Sequence, residues 1–429
     1  MFSIPGSPGL TRTTSDKAVI PFYAYAALAF LAATLLLFFS ATDFTTHYFH
    51  PHLLAITHIM VLGWGTMIVL GASHQLVPVL IESTLFSEPL ASASFVFAAA
   101  GIPLLSYGFY VFNMGWPARW GGALMIMAIL AYCINLGMSI IKSKEENVHA
   151  IFVFTATVWL LCTASVGLVL VYNFSYPLLS GNSADYLSLH AHMGIVGWFL
   201  LMIIGTGSRL IPMFLLSKYN NPRLLWWIFG LINGGLFAFV LVYLYSQNPW
   251  RWTLAVLPVI AAISLFGKYC FSSYQQRIRK KVDEQMKISL LSVMVMLLPL
   301  LLLAGIMVVL AITPGEPVRL ITTYGFLVIF GWITSIILGM TFKTLPFIVW
   351  NKVYHQKAGQ GKVPNPKELF SAGIFNWMSM LYLIGCLVFT LGILTRYLAV
   401  LQTGALMLLF AAVLYNWNVL KLLTHKPVV

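Results

Sequence analysis

Histidine is the residue type with the clearest potential for chemistry in this chain of 429 residues. Five of the ten histidines lie at or near corresponding ends of two long apolar segments; they are His50, His52, His58, His190 and His192. An ionisable side chain in such a segment is costly in a bilayer and marks a functional site by default. Imidazole is also the commonest side-chain ligand of haem iron and copper. These histidines therefore predict a haem or metal site.

The spacing of the histidines indicates how they pair. His58 and His192 occupy equivalent positions of an internal repeat, because 192 − 58 = 134. The third repeat has Phe326 at this position and Tyr324 at the position of His190. His190 and His192 are two residues apart, hence about 200° apart around a helix, so they face different clefts. If His58 and His192 mark the same face of their helices, His190 points back towards His58. We predict a haem b held by His58 and His190, with His192 as the alternative partner.

The stretch from His47 to His52, which reads His-Tyr-Phe-His-Pro-His, predicts a second metal site. His52 would be a ligand of copper or zinc there. We expect no carboxylate or thiol to join it, so that its affinity rests on imidazole alone. His74 follows His58 by 16 residues, about 24 Å along a helix, and is expected at the opposite interface with its hydrogen bonds satisfied. The alternative for all of these histidines is structural, with imidazoles hydrogen-bonded to carbonyls and to one another between helices.

The elements that position these residues are membrane-spanning helices. Hydrophobic residues make up 60% of the chain and charged residues only 8%, with a mean hydropathy of +0.89, which is too little charge to cover a soluble protein. Runs long enough to cross a bilayer predict an all-α integral membrane protein with about twelve transmembrane helices. The predicted spans are residues 18–40, 53–81, 90–112, 118–141, 150–172, 189–216, 224–246, 252–272, 288–312, 319–348, 370–393 and 397–420. The four cysteines are isolated, and the sequence has no C-x-x-C-H motif for covalent haem attachment.

The net charge of +13 is distributed unevenly along the chain. Lysine and arginine concentrate in alternate loops, whereas the intervening loops contain few; the basic loops are residues 143–148, 217–223, 273–287 and 349–369. This positive-inside pattern puts both termini in the cytoplasm. It predicts a multi-pass protein of the inner, cytoplasmic membrane with the clustered histidines at the outer face. The partner that these loops indicate is the lipid bilayer, and nucleic acid is not expected.

Three segments repeat one another at a constant step of 134 residues. The second, sixth and tenth spans each contain a Gly-Trp pair, then a second glycine and a proline at matching distances. Small residues allow helices to approach closely in lipid. We predict a single membrane domain of three four-helix units related by a pseudo-three-fold axis, with boundaries near 1–149, 150–283 and 284–429. Gly71, Gly205 and Gly339 should then superpose under rotations of about 120°.

Twelve spans, a three-fold four-helix repeat and outer-side histidines on the second helix resemble the catalytic subunit of the haem–copper oxidases, cytochrome c oxidase subunit I. The resemblance covers the whole chain in architecture, but in motif only parts of the second and sixth spans. It implies that His58 is a ligand of a low-spin haem. The run His190-Ala191-His192 resembles the histidine pair that this family carries on its tenth helix. The spans with a Gly-Trp pair also resemble spans of haem-containing membrane proteins associated with the nitric oxide response.

Two departures from the family limit what the resemblance implies. The tenth and seventh spans, which carry a haem-ligating histidine pair and copper ligands in the family, contain no histidine here. An oxygen-reducing dinuclear centre is therefore not expected, and enzymatic activity is left open. The resemblance implies a divergent membrane haem protein that transfers electrons or handles a diatomic gas, O2 or NO, with other respiratory or cytochrome subunits as partners. The alternative is a non-redox scaffold, partner subunit or metal or solute carrier that has lost the cofactor.

Overall fold

Among the residues that a computed structural model describes, twelve helices are long and apolar enough to cross a membrane. The structure describes residues 14–81, 83–143, 147–246, 249–278, 283–313, 315–354 and 363–427, and no strand occurs among them. The helices, named α1 to α12 in chain order, are Asp16–Phe39, Pro51–Pro78, Glu88–Tyr110, Trp116–Lys142, Val148–Asn173, Ser183–Leu215, Pro222–Tyr245, Leu254–Gln275, Glu284–Ile312, Val318–Tyr354, Ala372–Thr395 and Leu398–Leu423. The predicted all-α integral membrane protein with twelve spans is confirmed. Parts of the basic loops, residues 144–146, 279–282 and 355–362, lie outside the described residues.

The helices begin where the sequence supplies a proline or a polar cap. Pro51, Pro117 and Pro222 stand in the first turns of α2, α4 and α7, where a missing N–H is harmless because it has no intrahelical acceptor. Ser87 and Asn221 each cap a helix by accepting a hydrogen bond from a backbone N–H of its first turn. Between these ends the helical backbone satisfies its own polar groups, as a lipid environment requires.

Wide π-helical turns occur at equivalent places in three of the helices. They cover Ile59–Thr66 in α2, Met193–Leu200 in α6 and Leu327–Ile333 in α10. Their first residues follow the same 134-residue step, and each segment contains the Gly-Trp pair. A π segment holds more residues per turn than an α-helix, so it changes the phase between the residues before and after it. Such segments are frequent at functional sites.

Indole hydrogen bonds join α2 to α10 and α6 to α2. Trp64 Nε1 donates to Thr334 Oγ1 at 3.1 Å. Trp198 Nε1 donates to Thr66 Oγ1 at the same distance. The acceptors Thr66 and Thr334 are equivalent, because 334 − 66 = 268 is twice the repeat step. Each bond therefore runs from one repeat to the preceding repeat in cyclic order. At the third interface the corresponding residue is Leu200, which has no hydroxyl group.

Gly71, Gly205 and Gly339 lie in matching environments, each against the first helix of its own predicted unit. A Cβ atom added to them would meet, respectively, Phe22 of α1 at 2.7 Å, Phe152 of α5 at 2.5 Å and Ser289 of α9 at 2.5 Å. These close approaches require glycine. The recurrence agrees with the proposed three units, whose boundaries and rotational superposition stay predictions.

One end of the bundle, called the histidine side below, collects the segments that carry the clustered histidines. Tyr48, which follows α1, donates a hydrogen bond of 2.5 Å to Glu316, which precedes α10. The ring of His52 stacks on that of Tyr110 at the end of α3, with 4.3 Å between centroids. Residues distant in sequence therefore meet at this end.

The opposite end of the bundle contains a buried ion pair. The Lys343 side chain is only 7% exposed and donates to Asp283, whose side chain is 10% exposed and also accepts from Lys367 at 2.6 Å. Burial opposes the charge on Asp283, but hydrogen bonds from the two lysines hold the pKa of this carboxyl below its usual value. The pair connects the start of α9 to α10.

Candidate functional site

A cavity of about 860 Å³ opens among α2, α5, α6 and α10 on the histidine side. Its volume lies at the upper end of the range of about 300–1,000 Å³ for cofactor and ligand sites. Most of its lining is apolar, and the three histidines predicted as cofactor ligands, His58, His190 and His192, all border it. Glu316 and Asp185 line it as well.

His58 and His190 face each other across the cleft between the first and second repeats. Their ring centroids are 6.4 Å apart and their planes are within 19° of parallel. The structure thus brings together the pair that the helical phase and the repeat predict.

Two contacts orient the His58 ring. Its Nδ1 lies 2.7 Å from the backbone carbonyl oxygen of Leu54, so Nδ1 carries the proton and Nε2 keeps its lone pair. Phe109 packs against the ring with 4.4 Å between centroids. A ring nitrogen bonded to a backbone carbonyl is the usual support of a metal-ligating histidine, because it fixes the tautomer and the ring orientation.

His190 packs directly on the backbone of α5 at Gly167. A Cβ at that position would lie 2.8 Å from Cε1 of the imidazole, so any larger residue would displace the ring. Within the described part of the chain, no group reaches hydrogen-bond geometry with the buried Nδ1 atom of His190. The backbone of Thr163 is near the ring. An orphaned polar atom of this kind is costly, which favours a role for the ring beyond packing.

His192 borders the same cavity but faces Tyr324 instead of His58. Its Nε2 lies 3.2 Å from the hydroxyl oxygen of Tyr324 in α10, and its Nδ1 lies 2.8 Å from the carbonyl oxygen of Ser188. Both ring nitrogens therefore have protein partners, whereas the Nε2 of His58 is not engaged in this way. Of the two histidines of α6, His190 is the one placed to share a ligand with His58.

In the third repeat, phenylalanine rings occupy the place of imidazole. Phe326, the residue equivalent to His58, stacks on Phe330 and Phe389 with centroids 4.9 Å and 4.7 Å away. The three equivalent positions of the bundle thus have different chemistry, and only the first pairs two imidazoles.

The His58–His190 pair meets the spacing that a six-coordinate haem iron requires. Two metal–imidazole bonds of about 2 Å and two ring radii of about 1.1 Å would separate the centroids by about 6.2 Å, close to the observed 6.4 Å. Gly122, Ala164 and Gly167 line the cavity next to the pair, and such small residues leave room for a flat macrocycle. The residues present therefore fit a b-type haem.

A second cluster, which sequence reasoning predicted only in part, lies nearby on the histidine side. His52 Nδ1 is 2.6 Å from a carboxylate oxygen of Asp43, and His50 Nε2 is 3.8 Å from the other. The expectation that imidazole alone would supply this site is wrong, because the turn after α1 brings Asp43 back towards the histidines. The sequence contained one signal for this carboxylate, because Asp43 lies only a few residues before His50 and His52 along the chain.

His74 differs from expectation in its hydrogen bonding. The side chain is buried and packed by the rings of Phe22 and Tyr132, and among the described residues neither ring nitrogen reaches hydrogen-bond geometry with a partner. It does not line the cavity described above. Thr14 Oγ1 donates to the backbone carbonyl of His74 at 2.8 Å.

Comparison with known proteins identifies no family for this chain: no protein-family model matches it, and no curated protein is significantly similar to it.

Proposed function

We propose that this chain is a membrane haem protein, a divergent relative of the haem–copper oxidase catalytic subunit, that holds one haem b between His58 and His190. The observation that carries the proposal is the geometry of this pair. Two nearly parallel imidazoles lie 6.4 Å apart at the wall of a large, mainly apolar cavity. The two rings do not hydrogen-bond to each other: His58 Nδ1 bonds to the Leu54 carbonyl, and no partner for His190 Nδ1 is present among the described residues.

Electron transfer is the function that the pair favours over gas binding. A bound haem b would supply reversible one-electron chemistry at its iron. His58 and His190 would together hold the iron of the haem, so O2 or NO would have to displace one of the two imidazoles. Gly167 and Phe109 hold the two rings in place, and the apolar lining limits access of water to the site. Electron donors and acceptors would be other respiratory or cytochrome subunits.

The proposed setting is the inner membrane, with both termini in the cytoplasm and the histidine side facing outwards. The excess of lysine and arginine in alternate loops supports this orientation. The haem would then lie near the outer face, within reach of an external redox partner.

Absorption spectroscopy of the purified full-length protein, with a pyridine haemochrome assay, tests the proposal. We expect about one haem b per chain with a low-spin spectrum, and no spectral change when CO is added to the reduced protein. His58→Ala and His190→Ala should each abolish the low-spin spectrum, while membrane insertion persists because it depends on hydrophobicity and loop charge.

His192→Ala is the matched control, because His192 lies two residues from His190 and borders the same cavity. It should keep the wild-type spectrum. Loss of the low-spin haem in His192→Ala with its retention in His190→Ala would make His192 the ligand. An unchanged spectrum in His58→Ala would refute the assignment altogether.

The second candidate function is a non-redox role as a scaffold, a partner subunit or a metal or solute carrier. The observation that favours it is the extent of the cavity, which continues past the histidine pair to Glu316 and to Val259 of α8. A colourless protein that binds no haem on reconstitution would support this candidate.

A further inference from the structure

A second site on the histidine side has a ligand set of its own, formed by Asp43, His50 and His52. One potential ligand atom from each residue lies within 4.8 Å of the others. It is the one group of three such residues found among the described part of the chain. The side chains of Asp43 and His52 are 23% and 31% exposed, so the cluster is reachable from solution and yet partly sheltered.

Local sequence accounts for the meeting of these residues. Asp43 lies in a short 3-10 helix, Ala41–Thr45, that turns the chain back after α1. A residue that precedes proline is driven into extended backbone, and His50 accordingly has φ −80° and ψ 139° before Pro51. His50 therefore caps α2, its Nδ1 accepting from the backbone N–H of His52 at 3.3 Å, and both rings project towards Asp43.

The spacing of the potential ligand atoms is close to that around a metal ion. Ligands at about 2.0–2.2 Å in a tetrahedral arrangement are about 3.3 Å from one another. The observed separations from Asp43 are 2.6 Å to His52 and 3.8 Å to His50, so small side-chain rotations reach that geometry. The stacking of His52 on Tyr110 and its 3.5 Å contact with Ser40 Oγ limit the motion of its ring.

We propose that Asp43, His50 and His52 bind a divalent transition-metal ion, and that they bind Cu²⁺ more tightly than Zn²⁺. Two imidazoles and one carboxylate suit both ions, and the order of affinity follows the general preference of nitrogen and oxygen sites. The ion takes the place of the hydrogen on His52 Nδ1 and on His50 Nε2, and each neutral ring then carries its hydrogen on its other nitrogen. His50 Nδ1 thereby gives up the hydrogen bond from the His52 N–H. Water fills the remaining coordination positions, which makes the ion exchangeable.

This site is separate from the proposed haem. His52 precedes His58 by six residues, about 9 Å along a helix, and His58 contributes nothing to the cluster. Metal binding by Asp43, His50 and His52 therefore does not depend on haem binding.

Titration of metal-depleted, full-length protein with Cu²⁺ and with Zn²⁺ tests the site. Bound metal is measured by elemental analysis, and Cu²⁺ coordination by electron paramagnetic resonance. We expect about one Cu²⁺ per chain with two imidazole nitrogens in its signal. Asp43→Asn and His52→Ala should weaken binding by roughly tenfold or more, since loss of an outer partner alone costs that much.

His47→Ala is the control within the same loop, because His47 faces Glu316 at 3.7 Å and does not face Asp43. It should bind Cu²⁺ as the wild type does. Undiminished binding in both Asp43→Asn and His52→Ala would overturn the proposal. If these variants do not fold, the wild-type signal decides, because a Cu²⁺ spectrum without imidazole nitrogens is equally contrary to it.

Discussion

Replacing Gly167 with alanine tests the position of His190, because the imidazole occupies the space beside this glycine. The new Cβ would lie 2.8 Å from Cε1 and 3.4 Å from Nδ1 of the ring. Since carbon atoms in contact prefer about 3.5–4.0 Å, the ring has to withdraw by about 0.7–1.2 Å. A metal–imidazole bond of about 2 Å tolerates deviations of only about 0.2 Å. We therefore expect Gly167→Ala to lose haem or to convert it to a high-spin form.

Loss of haem in this variant would not reflect unfolding. Gly167 lies inside α5, where alanine gains about 1 kcal/mol in helix propensity over glycine. Overpacking typically costs about 1–3 kcal/mol, so the net destabilisation is about 0–2 kcal/mol. The assay is the absorption spectrum and haem content per chain, with thermal unfolding measured on the same preparation.

Gly194→Ala is the matched control for the same cavity. A Cβ there would meet only Thr163 Cγ2, at 3.4 Å, which is close to an ordinary contact distance, so the wild-type spectrum should persist. If Gly167→Ala keeps a full complement of low-spin haem with unshifted bands, His190 is not an axial ligand and the reasoning fails.

Three further predictions concern the bundle. Thr66→Val removes the acceptor of a buried indole N–H and should lower the free energy of unfolding by about 1–3 kcal/mol. The control is Thr390→Val, because the Thr390 hydroxyl bonds only a carbonyl of its own helix. It should change the free energy of unfolding far less in the same denaturation assay. Asp283→Asn removes a carboxylate that Lys343 contacts and should cost about 3–5 kcal/mol, most of it recovered when Lys343→Met is added. The pKa of Asp283 is lowered on folding. The ionised carboxylate therefore stabilises the folded protein above about pH 4, and this stabilisation is lost as the pH falls through the folded pKa. The melting temperature should drop in that pH range in the wild type and not in Asp283→Asn. A reporter fused after residue 281 should be active in the cytoplasm, and periplasmic activity would reverse the proposed orientation.

The pairing of the site histidines followed from local geometry that the sequence contains. His190 and His192 are two residues apart in a regular helical segment, Leu187–His192, so their opposite directions could be predicted. The 134-residue step related His192 to His58 and so indicated which face pointed towards which neighbour. The structure has His190 opposite His58 and His192 opposite Tyr324.

Other parts of the site had no local signal. Gly167 is one of 32 glycines, and its role depends on the packing of α5 against α6. The ligand geometry of Asp43 depends on the turn between α1 and α2. The π segments after His58 and His192 shift the helical phase, so a constant period of 3.6 residues does not relate the residues before these segments to those after them.

The sequence by itself determined the fold class and the repeat, because apolar composition and the 134-residue step depend only on residue order. In lipid a chain of this composition has to satisfy its backbone within helices, which leaves no other secondary structure for most of its length. Tertiary structure alone decided which imidazoles meet, how far apart they lie and which polar atoms have partners. Those properties depend on distances of a few ångströms between helices that are far apart in sequence, and side-chain packing sets such distances.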